Sequence, residues 1–292
     1  MPQRKRVRGG LLLFPPDMPG MNRSLSVLLA HGLLSMAAAQ AQEAVPLVLG
    51  EKRVLHSAAL GEERTLHIRL PLGYSQNSAA RYPVMYVLDG GLDEDFFHLA
   101  GLVDFASMPW INWLPPSIVV GIVNTDRKRD FTHPTTIAKD KEQFPTTGGS
   151  ASFIRYLGDE LIPFIDSTYR TTGERTLIGQ SLGGLLATEV LMERPQLFTR
   201  YVVVSPSLWW DNGSVLAREA AFMNQPAAAP KQVWIGVGKE GKVMVNGAKR
   251  LGRLLRRNPA IQVRVNVMPR HDHGNILHQA VLDAVRWMKE SE

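Results

Sequence analysis

The chain has 292 residues, 33 Lys and Arg against 27 Asp and Glu, and no cysteine. That length can bury one large core, and the missing cysteine excludes disulfides, a thiolate nucleophile and thiolate metal sites. Five basic residues and one acidic residue lie within the first 41 positions, so the formal charge of +6 falls to +2 without them. A charge that small gives no electrostatic reason to expect a nucleic-acid partner.

Residues 21–41 open on Met21-Asn-Arg-Ser, continue as an apolar stretch from Leu25 to Met36 and end Ala37-Ala-Ala-Gln-Ala41. A short cationic start, an apolar middle and a small-x-small end are the parts of a secretory signal. The stretch is too short to span a bilayer, and no later run approaches roughly 18 apolar residues. We therefore expect a leader over 1–41, with the signal at 21–41. The exported chain is periplasmic or secreted, begins near Gln42 and makes no stable membrane insertion. Residues 1–20, with Arg4, Lys5, Arg6 and Arg8 crowded before Pro15-Pro16, fit neither a signal nor a domain, so translation starts at Met1 or at Met21.

From residue 42 to 292 the chain reads as a single domain. Leu47–Leu55 and Thr65–Leu70 look like strands, the second alternating as Leu66-His-Ile-Arg-Leu70, and Pro71-Leu-Gly-Tyr74 ends an antiparallel start. Short strands follow at Val84–Leu88, Ile118–Val123, Thr176–Ile178, Tyr201–Val204, Val233–Val237 and Val263–Val267. Between most of them lie helix-length segments at 151–169, 182–194, 214–224, 243–257 and 275–288. Strands apolar along nearly their whole length, separated by helices, predict a mostly parallel sheet covered on both faces. Pro163 should kink or split the helix around it. Residues 124–150 lack periodicity, contain Pro134, Pro145 and Gly148-Gly149, and follow a strand, where α/β proteins place their binding crevice.

Gly179-Gln-Ser181-Leu-Gly183 matches G-x-S-x-G directly between a strand and a helix. In that context the pattern is a nucleophile elbow, a tight turn that lifts a serine oxygen clear of the sheet and has no room for side chains at its glycines. Outside it, the same residues would be a Gly/Ser turn capping a helix. Gly184 lets the following helix pack closely. A serine hydroxyl needs a base to take its proton. Of eight histidines, only His271, His273 and His278 follow the last strand, and His278 falls inside the final helix. His273, beside Gly274 at that helix's start, is the preferred base, with His271 the alternative.

Acyl transfer also needs donors for the developing oxyanion. The Leu182 backbone N–H opens the elbow helix, where the dipole helps, and the loop Asp89-Gly90-Gly91 supplies the second, for which we choose the Gly91 N–H. The acid that orients the base should follow the Val233–Val237 strand. Glu240 stands there, flanked by Lys239 and Lys242 as an exposed charged turn would be. Asp211 lies one strand earlier, Asp272 is too near His273 to turn easily towards its ring, and a Ser–His dyad needs no acid. Arg127 and Arg129 are placed to meet an anionic or catechol-bearing substrate, unless they are solvated loop surface. Trp209, with Trp210, is either an aromatic wall near the elbow or core.

Taken together and in order, Tyr86-Val-Leu-Asp-Gly90, Asn124-Thr-Asp-Arg-Lys-Arg-Asp130, Gly179–Gly184, Ser205-Pro-Ser-Leu-Trp-Trp210 and His273-Gly274 resemble an esterase family. This is the esterase D-like, siderophore-esterase-like branch of the α/β-hydrolases, and the resemblance covers roughly residues 45–290. It implies an α/β-hydrolase fold and a serine esterase acting on a small-molecule ester, such as a trilactone siderophore, without metal or organic cofactor. It implies Ser181 as nucleophile, His273 as base, and Gly91 with Leu182 as oxyanion donors. A general carboxylesterase, a carbohydrate-acyl esterase and a non-catalytic binding protein on the same fold are the rival readings. One departure stands out: Asn275 occupies the position where the family commonly has the Ser of His-Gly-Ser.

Overall fold

Strands β1 (Glu51–Ser57) and β2 (Glu62–Arg69) form an antiparallel pair in which Glu51 faces Ile68 and Ser57 faces Glu62. Gly61, at φ +68°, makes the turn between them, a backbone position that favours glycine. The hairpin begins four residues later than the expected first strand. This computed structural model describes residues 44–218 and 231–291. The expected leader, and the end of the helix expected at 214–224, lie outside them.

After the hairpin come β3 (Tyr82–Val87), β4 (Ile118–Ile122), β5 (Thr171–Gln180), β6 (Arg200–Val204), β7 (Lys231–Gly238) and β8 (Ile261–Met268). Among the described residues, eight strands make one sheet in the order β1-β2-β4-β3-β5-β6-β7-β8. β2 runs antiparallel to β4, and every pairing from β4 onward is parallel. This is an α/β-hydrolase sheet.

The helices are α1 (Phe96–Ala106), α2 (Arg127–Asp130), α3 (Ala138–Gln143), α4 (Ser150–Arg155), α5 (Ile162–Thr168), α6 (Leu182–Glu193), α7 (Gly241–Leu255) and α8 (Leu277–Glu290). A π-helical turn, Tyr156–Leu161, joins α4 to α5, and a 3-10 segment occupies Trp210–Arg218. Successive side chains of β3 alternate between two cores: Val84, Tyr86 and Leu88 enter one, Met85 and Val87 the other. α1 and α8 cover the second face through Leu99, Val103, Val281 and Val285. α4 to α7 cover the first, with Leu157, Leu186, Val190 and Leu251 buried there. A sheet buried on both sides has no polar face to show, so its strands read as unbroken apolar runs.

Three expectations need correction. The expected kink at Pro163 is absorbed without a break, because the chain widens into the π turn just before the proline and continues as α5. That widening accommodates a ring that has no N–H and would clash with the preceding turn. α1 was not foreseen at all; its exposed Phe97 and Phe105 blur the polar face a helix pattern needs. The irregular segment 124–150 contains the short α2 and α3. Among the described residues no helix is long and apolar enough to cross a membrane. Val48–Glu292 forms one unit.

β3 lies between β4 and β5, so the chain leaves it in one direction and returns on the other side. The helices after β3 and β5, α1 and α6, consequently cover opposite faces. Such a reversal opens a crevice at the carboxyl ends of the two strands.

Candidate active site

Ser181 follows β5 and precedes α6 with φ 61° and ψ −117°. A non-glycine residue held there costs on the order of 1–3 kcal/mol and persists only where its surroundings enforce it. The enforcing contacts are close. A Cβ at Gly179 would lie 2.4 Å from the Gly183 carbonyl oxygen, and one at Gly184 would lie 3.0 Å from Pro206 Cα. Gly184 thus brings α6 against the end of β6, as expected. Gly183 differs from the expectation, because a Cβ there would meet Asp89 and Leu88 only at ordinary contact distance.

Ser181 and His273 line one cleft of about 410 Å³, together with Ser207, Trp209, Glu240 and Met244, and with Lys239 and Asp272 at its sides. The Ser181 hydroxyl hydrogen-bonds with that of Ser207 at 3.3 Å. No hydrogen bond joins Ser181 to His273 in this structure; in unliganded enzymes catalytic hydrogen bonds are often long and tighten only in the complex. His273 Nδ1 lies 2.6 Å from Glu240 Oε2. His273 Nε2 has no hydrogen-bond partner among the described residues.

Glu240 is well placed to remain an acceptor. Its side chain is 4% exposed against 47% for His273, Oε1 accepts the Gly238 N–H at 2.9 Å, and the Ser205 hydroxyl donates to the same oxygen. With one oxygen held by two donors, the other faces Nδ1, and a carboxylate there requires the Nδ1–H tautomer. Asp211 is elsewhere: its Oδ1 accepts from the Thr135 hydroxyl at 2.8 Å and the Thr136 N–H at 3.2 Å. Asp272 Oδ1 accepts the Gly274 N–H, and Asn275 Oδ1 accepts the Asp272 N–H, both at 3.0 Å. Asn275, the departure from His-Gly-Ser, therefore closes the turn that carries His273. His271 points its carbonyl at the Lys239 N–H and does not line the cleft.

The residues expected to meet the oxyanion and the substrate are arranged less simply. Leu182 begins α6 immediately after Ser181. The Gly91 N–H donates to Glu94 Oε2 at 2.9 Å, so the second expected donor is occupied, and Glu94 has to swing away before an oxyanion can use it. Trp209 lines the cleft and is 36% exposed, whereas Trp210 is fully buried. Arg127 does not line the cleft. Its Nε and Nη2 grip Asp89 at 2.6 and 2.9 Å, and Nη2 also donates to the Gln180 carbonyl at 3.3 Å. Arg129 is engaged by Glu62 and Asp130. Neither guanidinium stands free for a substrate anion in this structure.

The family description "Putative esterase" matches residues 57–274. The chain belongs to this esterase family. Among similar esterases, the ferri-bacillibactin esterase BesA of Bacillus subtilis is 31% identical over 180 residues, 56% of this chain and 61% of its own. The siderophore triacetylfusarinine C esterase of Aspergillus fumigatus is 27% identical over 61% of this chain and 63% of its own. The matches thus span less than two thirds of either protein. An IroE-like serine hydrolase from Shewanella oneidensis superposes with a TM-score of 0.75 at 29% identity, covering 82% of this chain and 80% of that one.

Sequence reasoning missed several residues of this cleft. Ser205 and Ser207 stand in the sequence only within the run Ser205–Trp210; the signal that marks them is a pair of serines just past the end of an apolar strand. Gln180 donates its side-chain amide to the His273 carbonyl, tying the elbow to the histidine loop. Lys239, read as a sign of an exposed turn, and Met244 line the cleft. Among the described residues no group of three or more His, Cys, Asp or Glu could hold a metal ion.

Proposed function

We propose that this chain is a serine esterase that hydrolyses a carboxylic ester through an acyl-enzyme. The observation that carries the reading is the line Glu240–His273 at 2.6 Å, with the free Nε2 and the strained Ser181 on one cleft. Ser181 Oγ attacks the ester carbonyl while His273 Nε2 takes its proton. The Leu182 N–H, and the Gly91 N–H once Glu94 has left it, receive the negative oxygen. His273 then returns the proton to the departing alcohol. A water, deprotonated by the same nitrogen, attacks the acyl-enzyme and releases the acid. Glu240 holds the tautomer and stabilises the imidazolium.

The substrate class we favour is a siderophore-type ester such as a trilactone, supported by the named activities of the two siderophore esterases above. Export is a separate proposal that rests on the signal-like residues 21–41. The domain reading is 42–292 as one hydrolase domain. A fluorophosphonate probe should label the purified protein and fail to label Ser181→Ala. Labelling retained in that variant would remove Ser181 from the mechanism. On a panel of p-nitrophenyl esters and ferric siderophores, turnover of the simple esters alone would replace the siderophore reading with a general carboxylesterase.

A further inference from the structure

Between the end of β6 and the 3-10 segment the chain turns as Ser205-Pro206-Ser207. Ser205 is fully buried at φ 41°, a conformation that lasts in a residue with a side chain only where its surroundings enforce it. Its N–H donates to the Gly236 carbonyl at 2.8 Å, and its hydroxyl donates to Glu240. Two residues on, the Ser207 N–H donates to the Ser181 carbonyl at 3.0 Å, and the hydroxyls of Ser207 and Ser181 meet at 3.3 Å. One short turn therefore grips the acid at one end and the proposed nucleophile at the other. Gly184 lets α6 close on its middle, where a Cβ would lie 3.0 Å from Pro206 Cα.

Ser205 has its task in holding Glu240. The Ser207 hydroxyl has none in the proposed cycle of Ser181 and His273, although it lines the cleft and is only 3% exposed. Its hydrogen-bond partner among the described residues is Ser181 Oγ. The direction of that bond follows from the protons available. Ser181 carries one, and attack hands it to His273 Nε2, so in the reacting state Ser207 donates and Ser181 Oγ accepts. The bond is not equally strong along the reaction. A hydroxyl oxygen accepts well and an alkoxide better still. The same atom accepts poorly once it bridges an ester, because its lone pair is drawn into the carbonyl. Ser207 thus favours the free serine over the acylated one.

We propose that Ser207 is a further catalytic residue of this cleft and acts on the second half of the reaction. The inference rests on the esterase reading for the identity of the reacting atoms. In deacylation, water adds to the acyl carbon and gives a proton to His273 Nε2. Ser181 Oγ is then an ether-like oxygen and already accepts better than it did in the ester. When the intermediate collapses, the bond from carbon to Oγ breaks and its electron pair returns to Oγ. The charge that builds there meets the Ser207 hydroxyl, already aimed at it, while His273 delivers the proton that restores the serine. The acid leaves, and no other reactant is needed. In acylation the charge moves off Oγ, so the same donor gives no help to attack.

The proposal is tested with p-nitrophenyl butyrate, whose leaving group departs so readily that hydrolysis of the acyl-enzyme limits turnover. Ser207→Ala removes the hydroxyl and keeps the N–H on Ser181, so the variant should melt close to the parent. Loss of one hydrogen bond of this kind should slow deacylation, and with it kcat, about tenfold. KM should fall in step, kcat/KM should stay within about twofold, and the burst of p-nitrophenolate should approach a full equivalent of enzyme. Labelling by a fluorophosphonate reads attack alone and should keep its rate. Ser207→Thr, which retains a hydroxyl, should recover most of the lost deacylation. A fall in kcat/KM as large as the fall in kcat would assign Ser207 to packing and overturn its catalytic role. Parental kcat and KM in the alanine variant would overturn it as well. In both cases hydrolysis by the parent leaves the esterase reading standing. A parent that takes no label and hydrolyses no ester removes that reading, and the role of Ser207 with it.

Discussion

At the scale of single residues, the orientation of His273 decides what the cleft can do. Glu240→Gln preserves shape and lets the amide oxygen keep accepting from Gly238 and Ser205. The amide NH2 then faces Nδ1, which must become the acceptor and pushes the proton to Nε2, where it blocks uptake of the serine proton. We expect kcat to fall by about 10²–10⁴-fold with little change in melting temperature. Near-parental turnover would return the site to a Ser–His dyad. Arg127 makes a different prediction. Because it joins the Asp89 loop to the elbow through Gln180, Arg127→Ala should loosen both proposed oxyanion donors at once. It should lower kcat by about tenfold or more, since removing a single such donor commonly costs more than that. The loss should be alike for neutral and acidic esters. A rise in KM confined to acidic esters would show that the guanidinium meets substrate after all.

At the scale of elements, α2 is fixed to the hairpin by buried charge. Arg64 and Asp130 are both fully buried and meet at 2.7 Å, Arg129 grips the other Asp130 oxygen at 2.7 Å, and Glu62 joins both arginines. Removing one partner strands a buried cation. Asp130→Ala should therefore destabilise the fold by about 3 kcal/mol, read by urea unfolding; a change below 1 kcal/mol would mean that Glu62 alone satisfies Arg64. Helix α1 begins with an opposite economy. Burial pushes the Asp95 carboxyl up to about 6, and Asp89 and Glu94 push in the same direction. The folded state then holds a proton that the unfolded state has already lost. Its ionisation penalty is absent below the unfolded value near 3.8 and complete above about 6, so this group makes stability fall as pH rises between them. Asp95→Asn should flatten the curve in that window and stabilise the protein at neutral pH, as thermal melts across pH 4–7 would show. Burial lowers the pKa values of the stacked His98 and His278. Their contribution is lost as pH falls below the ordinary histidine value, which works against the Asp95 slope and makes the parent–variant difference the quantity to read.

At the scale of the whole molecule, every proposed participant is delivered by the end of a parallel strand. Asp89–Gly91 follow β3, Ser181 follows β5, Ser205 and Ser207 follow β6, Glu240 follows β7 and His273 follows β8. The strand order sets these ends side by side, and the crevice where the chain reverses supplies the space. The proposed export predicts that intact-mass measurement of extracytoplasmic protein finds an N-terminus near Gln42. A soluble cytoplasmic protein that retains the leader would remove the localisation proposal.

What the sequence by itself determined follows from local physics. Strands buried on both faces must be apolar throughout, as in Ile118–Ile122 and Tyr201–Val204, and a turn as tight as Gly179–Gly183 must spend its glycine where backbone meets backbone. Those requirements act on neighbours in the chain and leave marks there. β5 was legible only at Thr176–Ile178, because its first half alternates with exposed Thr172 and Glu174, and α1 was hidden by exposed aromatics. Only the tertiary structure decided the partnerships. Glu240, Asp211 and Asp272 are equally good acids as residue types, and Arg127 reads equally well as a substrate ligand. What separates them is which oxygen lies 2.6 Å from Nδ1 and which carboxylate grips the guanidinium. Partners 33 and 38 residues apart meet through strand order, and no local pattern of side chains records it.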